Sequence, residues 1–317
     1  MTATSMPVGI PKLGIILPEG ERDMGGRTAR WTDYVEMART AEAMGFDSLW
    51  FVDHLLYAEG ATTEPPQGVW ECWSVLTGLA AVTERVELAP LVTCTGYRNP
   101  ALLAKVADTV DEISGGRLIL AIGSGWHDPE YRAFGFPYDH RYARFEEALA
   151  IIHGLLREGA IDFEGKYHSA RGCELRPRGP RGRGIPIMIG ANGPKMLRLT
   201  ARYADQWNTW LAMGRSEPDA FPADNDLVDA ACLEVGRDPA TLERTASIMV
   251  DMNGRREIPA SMGPDRAQPL TGTPDEIADA IRAFAALGIS HLQLYLIPNT
   301  VATLRNFELV LRALGRA

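Results

Sequence analysis

Two hydrophobic periods alternate along the chain. Short, nearly unbroken apolar runs are followed by longer stretches in which apolar residues return every three or four positions. The first run, 12–17, is closed by Pro18 and predicts a buried strand. Over 31–44, Tyr34, Val35, Ala38 and Ala41 fall on one helical face, and Gly45 stands where a C-cap glycine belongs. The run 48–52 then has almost no polar position, the pattern of a parallel-sheet strand buried on both faces. Further strands are predicted at 86–94, 117–123, 185–190, 205–209, 242–251 and 289–296. Helices are predicted over 70–82, 100–113, 141–157, 194–203, part of 222–235 and 301–314. Another opens at the capping box of Thr273 and Glu276 and ends at Gly288. The junctions at 43–49 and 286–292 read alike, as expected of one αβ unit used repeatedly.

Eight alternating units predict an α/β fold, a (β/α)8 TIM barrel, as a single domain over 1–317. Two stretches interrupt it and are expected as insertion loops. The first, 57–69, is rich in Gly, Pro and Thr. The second, 163–184, carries an arginine-rich run from Arg176 to Arg183, expected as solvated loop, with anion binding as the other reading.

Composition narrows the function classes. With 41 acidic against 32 basic residues the net charge is −9, which disfavours nucleic acid and anionic membrane surfaces as partners. No apolar run reaches the length of a membrane span, and the first residues lack the pattern of a secretory signal. The four cysteines form no Cys-x-x-Cys pair, so a reducing cytoplasm is the expected location. The histidines show no metal-ligand spacing, so no metal is expected.

In this barrel class chemistry sits at the C-terminal ends of the strands. Asp53 and His54 end the run 48–52 abruptly, either as a proton-transfer pair or as a structural hydrogen-bonding pair. Gly123-Ser124-Gly125 follows another strand. It lacks the third glycine and the immediate helix of a dinucleotide fingerprint, so its glycines are read as allowing close approach of a flat ring or a phosphate. Ala191, Asn192 and Gly193 lead from a strand into a helix opened by Pro194, a phosphate site or an ordinary tight turn. His291, Gln293 and Tyr295 give the last strand one polar face, lining a pocket or satisfying the core.

Taken in order, several segments resemble the bacterial-luciferase-like flavin and deazaflavin oxidoreductases. They are 45–50 with Asp53-His54, 97–101, 113–117, 123–126 with Glu130-Tyr131 and Gly135, 144–149, 189–193 and 204–208. The resemblance spans roughly 13–314 and is nearer the branch that uses coenzyme F420, with reduced FMN as the alternative cofactor. It implies a two-electron redox reaction on a small-molecule substrate. Asp53 and His54 would lie beside the ring, with His54 and Asp53 as the catalytic residues. Leu91, Val92 and Thr93 would lie beneath it, with a non-proline cis peptide at Leu91–Val92. Gly123, Ser124 and Gly125 would contact the ring or side chain, and Ala191, Asn192 and Gly193 the phosphate.

The chain departs from members that oxidise sugar phosphates. Trp126 stands where they carry an acid, and 55–58 replaces their tryptophan. An aromatic substrate pocket of Trp50, Tyr57, Trp126 and Tyr131 is expected instead, suited to a less charged substrate. The leading expectation is an F420-dependent oxidoreductase, followed by a reduced-FMN monooxygenase and a non-catalytic cofactor-binding protein. A homodimer is expected.

Overall fold

The computed structural model describes residues 9–21, 23–57, 66–182, 184–211, 214–254 and 267–316. Eight parallel strands form the barrel. They are β1 (Lys12–Ile16), β2 (Ser48–Phe51), β3 (Glu87–Pro90, resuming as Thr93–Cys94) and β4 (Leu120–Gly123). They continue as β5 (Ile187–Gly190), β6 (Gln206–Trp210), β7 (Glu243–Asp251) and β8 (Ile289–Leu296). The order around the barrel is β3-β2-β1-β8-β7-β6-β5-β4. Closure comes from β3, which pairs with β4 through Thr93–Cys94 and with the segment just before β4 through the Leu88–Leu118 bridge. All eight predicted strands are present.

The helices follow the strands because each needs an apolar stripe against the barrel's outer face. They are α1 (Trp31–Ala43), α2 (Cys72–Val82), α3 (Pro100–Ser114), α4 (Asp128–Phe134) and α5 (Arg141–Glu158). The remainder are α6 (Pro194–Tyr203), α7 (Phe221–Glu234), α8 (Pro274–Ala286), α9 (Val301–Asn306) and α10 (Glu308–Leu314). The two similar junctions behave alike, with Gly45 at φ 88° and Gly288 at φ 92°. Those left-handed positions let α1 and α8 turn into β2 and β8, and a side chain there would be strained. None of the described helices is long and apolar enough to cross a membrane.

Strand pleating divides each strand between two cores. Leu49 and Phe51 of β2 pack outward among the helices, where Phe51 meets Tyr34 edge to face at 5.4 Å. Full burial of such a side chain contributes about 1.5–3 kcal/mol. Ser48 and Trp50 point inward instead. Trp50 donates from Nε1 to Ser48 Oγ at 2.7 Å, and that hydroxyl lies 2.7 Å from His291 Nε2. A Cβ on Gly14 would stand 2.3 Å from the Trp50 nitrogen, so only glycine admits this indole to the barrel interior.

Three expectations change. The span 163–184 is not simply a loop, because Ala160–Glu164 and Ser169–Glu174 form an antiparallel hairpin. The arginine run is partly locked to α3: Arg181 pairs with Asp111, and the Gly179 N–H donates to Asp108 at 3.1 Å. Helix 301–314 is two helices meeting at the buried Phe307. Of the loop at 57–69, residues 58–65 lie outside the described ones, while Leu56–Tyr57 pairs with Gln67–Gly68.

Candidate active site

The C-terminal ends of the strands surround a cavity of about 420 Å³. Eleven of the residues anticipated from sequence line it: Asp53, His54, Tyr57, Leu91, Val92, Gly123, Ser124, Gly125, Trp126, Ala191 and Asn192. Four do not. Trp50 lies two residues below Val52, a cavity residue, and at 3.3 Å per residue it belongs to the layer beneath the chamber. Tyr131 is buried behind the wall, with its hydroxyl 2.9 Å from Cys94 Sγ and 3.1 Å from the Ser124 carbonyl. Thr93 is buried and its Oγ1 has no partner among the described residues. Gly193 is the exposed N-cap of α6, beyond the cavity wall.

Asp53 and His54 are adjacent in sequence yet serve different partners. Asp53 accepts from Arg98 at 2.5 and 2.8 Å and from the Cys94 N–H at 2.9 Å. Arg98 also donates to Glu71 at 2.6 Å. Burial pushes the Asp53 carboxyl up, and Arg98 pulls against it. Asp53 therefore ties the end of β2 to the segment after β3, and it is not the support for His54.

That support is Glu130, contributed by the short helix α4. His54 Nδ1 lies 2.8 Å from Glu130 Oε2, which also accepts from the Tyr97 hydroxyl at 2.8 Å. The N–H groups of Leu55 and Leu56 donate to Oε1 at 2.5 and 2.8 Å. Burial works to raise the Glu130 carboxyl. The hydrogen bond and charge of His54, with the two backbone donors, outweigh it and hold the group below the usual carboxylate range. An ionised carboxylate only accepts, so it faces an N–H at Nδ1 of His54 and leaves Nε2 for chemistry. The His54 ring lies against Tyr57, tilted by 33° with centroids 4.2 Å apart, and meets Trp126 edge to face at 5.6 Å. Trp126 is about half exposed, at the mouth.

The Leu91–Val92 peptide is cis, where the resemblance implied it, and Val92 lies between Gly123 and Gly190. A Cβ on Gly123 would come within 2.8 Å of Val92 Cγ2. One on Gly125, at φ 71°, would strike the Tyr131 hydroxyl at 2.1 Å. At these positions only glycine leaves room for Val92 and for the Tyr131 hydroxyl packed behind the wall. Asn208 lines the cavity and is anchored through Nδ2 to Gln293 Oε1 at 2.8 Å and Thr245 Oγ1 at 3.0 Å. The polar face of β8 therefore satisfies the barrel interior, and Tyr295 reaches Asp23 at 3.3 Å.

The sequence reading missed Glu19, Val52, Cys94, Tyr97, Gly190, Asn208 and Trp210 as lining residues. Glu130 and Arg98 were visible only as letters within motifs, since their partners lie 76 and 45 positions away.

The sequence model of the family described as luciferase-like monooxygenase matches residues 11–258. A 5,10-methylenetetrahydromethanopterin reductase of Archaeoglobus fulgidus is 33% identical over 215 residues, 67% of this chain and 59% of that protein. The match thus spans about three fifths of that relative's own length. The fold is that of an F420-dependent secondary alcohol dehydrogenase solved with an F420-acetone adduct, with a TM-score of 0.77 at 20% identity over 96% of this chain and 99% of the other. It is also that of a riboflavin lyase solved with modified FMN and riboflavin, with a TM-score of 0.79 at 16% identity over 97% and 92%.

Proposed function

The chain belongs to the luciferase-like monooxygenase family, and from that premise we propose that it is an F420-dependent oxidoreductase. It would pass a hydride between the deazaflavin and a small organic substrate. The observation that carries this reading is the His54–Glu130 pair, set at the end of β2 in a chamber lined also by Leu91, Val92, Gly123, Gly125 and Gly190.

The residues fit a planar, mostly apolar ring. Leu91, Val92, Gly123 and Gly190 offer it a smooth face, and the unpartnered Thr93 Oγ1 lies in the strand segment beside them. Gly123, Ser124 and Gly125 would border the ring. Ala191, Asn192 and Gly193 lead to the N-terminus of α6, where free N–H groups favour a phosphate. Once bound, the deazaflavin supplies a carbon centre that gives or takes a hydride.

His54 handles the partner proton. Glu130 holds its Nδ1–H, so Nε2 takes a proton when substrate is oxidised and returns one when substrate is reduced. Glu130 is a positioning residue, and Asp53 holds the strand ends that carry His54 and the cis peptide. Tyr57 and Trp126 narrow the chamber and keep water from the reacting atoms. The proposal includes a homodimer in the cytoplasm, supported by the resemblance and by four free cysteines.

The second reading, a reduced-FMN monooxygenase on the same wall, is favoured by the likeness to the riboflavin lyase. Titration of the purified protein with F420 and with FMN, followed by fluorescence, separates the two. Tighter F420 binding is expected. Equal or tighter FMN binding, with oxygen uptake on adding reduced FMN, overturns the choice.

A further inference from the structure

Asn208 is the first polar side chain in a row of chamber residues that otherwise has none. Gly190 pairs with Asn208 across β5 and β6, and Ile189 pairs with Ile122 across β5 and β4. Gly123, Gly190 and Asn208 therefore stand side by side at the ends of three adjacent strands, and all three line the chamber. The Asn208 amide is held from within the barrel. Nδ2 donates to Gln293 Oε1 at 2.8 Å and to Thr245 Oγ1 at 3.0 Å, while the Thr245 hydroxyl gives its own proton to the Trp207 carbonyl at 3.0 Å. Both hydrogens of Nδ2 are thus taken. Oδ1 is served differently. The Ser247 hydroxyl lies 3.4 Å from it, but its single proton has a nearer acceptor in Gln293 Oε1 at 3.1 Å. Oδ1 is left without a donor among the described residues, a state that buried amide oxygens rarely keep. Because Asn208 lines the chamber, a bound molecule can supply that donor.

We infer that Asn208 reads the edge of the bound ring, its Oδ1 accepting a hydrogen bond from the ring's imide N–H. The inference rests on the reading of the chamber as the seat of a flavin or deazaflavin, and deepens it. A ring lying along the ends of β4 and β5 meets only backbone at Gly123 and Gly190, and then the Asn208 side chain in the same row. Flavin and deazaflavin rings share a pyrimidinedione edge, and its imide is the one N–H donor of the oxidised ring. An acceptor fixed in place by Gln293 and Thr245 complements that group. An amine or amide N–H turned into the chamber would oppose it. Since both cofactors carry this edge, Asn208 selects the ring class and does not choose between F420 and FMN.

Ring-only probes test this on cofactor-free protein. Lumiflavin carries the imide N–H without a sugar chain or phosphate, and 3-methyllumiflavin has a methyl group in place of that hydrogen. Fluorescence titration of the parent should show lumiflavin binding about tenfold more tightly, the size expected of one hydrogen bond to a fixed buried acceptor. Asn208→Leu removes the acceptor at similar volume and should bind the two within about twofold, because no coupling is left between side chain and imide. Asn208→Ala gives the same readout if the leucine variant does not fold. Asn208→Asp keeps an oxygen in place, and the unpartnered Gln293 Nε2 can turn to meet its second one, so the preference should persist. Equal binding of the two flavins by the parent overturns the inference. A preference that survives in Asn208→Leu or Asn208→Ala also overturns it, since bulk rather than the hydrogen bond then sets the difference. Absence of any lumiflavin binding to the parent overturns the ring-binding reading itself, so the two failures are distinguishable.

Discussion

Glu130→Gln isolates the orienting contact to His54 with almost no change of shape. The amide oxygen can still accept from the Leu55 and Leu56 N–H groups. Its NH2 group then faces two donors, His54 Nδ1–H and the Tyr97 hydroxyl. The hydroxyl can rotate and accept, but the imidazole must move its proton to Nε2 so that Nδ1 accepts. That is the wrong tautomer for taking a proton from substrate. A positioned general base contributes about 10²–10⁴-fold, and an inverted tautomer in a His–carboxylate pair can cost about 10⁴-fold. At about 1.36 kcal/mol per decade, the expected barrier increase is about 2.7–5.4 kcal/mol. The fold should lose only about 1–3 kcal/mol, the cost of an imperfectly paired buried group. Single-turnover absorbance of the bound cofactor measures the rate, and nitrogen NMR of labelled histidine reports the tautomer. A folded variant with the parental rate and the parental tautomer would refute the assignment of Glu130 as the orienting residue.

Two further outcomes rest on buried polar groups. Burial holds His291 down to about 3, so the folded protein stays neutral there while the unfolded chain takes up a proton near about 6.5. Between those values the unfolded state binds more protons. Stability is then full above about 6.5 and falls with decreasing pH by up to about 1.36 kcal/mol per unit. Urea unfolding of His291→Gln should lose that component of the slope, and an unchanged slope would contradict it. Arg98→Leu should destabilise the protein by about 3–5 kcal/mol, because it strands the buried Asp53 carboxylate, and Arg98→Lys should fall between variant and parent. A midpoint shift under 1 kcal/mol, on the order of an exposed pair, would show that the pair is not structural.

The barrel was legible because parallel strands covered on both faces must be apolar at nearly every position, and 48–52 and 187–190 read that way. The hairpin at 160–174 escaped because its strands are largely exposed and carry no such run. Helix α4 escaped because seven residues hold too few periods to register. Asp53 and His54 were found as polar residues ending an apolar strand, but adjacency suggested a partnership that alternating strand geometry does not provide. Successive side chains diverge, so Asp53 turns to Arg98 and His54 to Glu130. Trp50 was placed in the pocket for the same reason, since composition names an aromatic residue without giving its depth in the barrel. Glu19 sits outside any strand, and its contact with Tyr57 spans 38 positions.

The rate of hydride transfer in His54→Ala bears most directly on the reading of the site as a proton-coupled redox centre. Cofactor affinity should stay within several-fold of the parent, since His54 is one residue of a broad wall. The single-turnover rate with bound F420 should fall about 10²–10⁴-fold. A well-folded variant that keeps the parental rate would contradict the account.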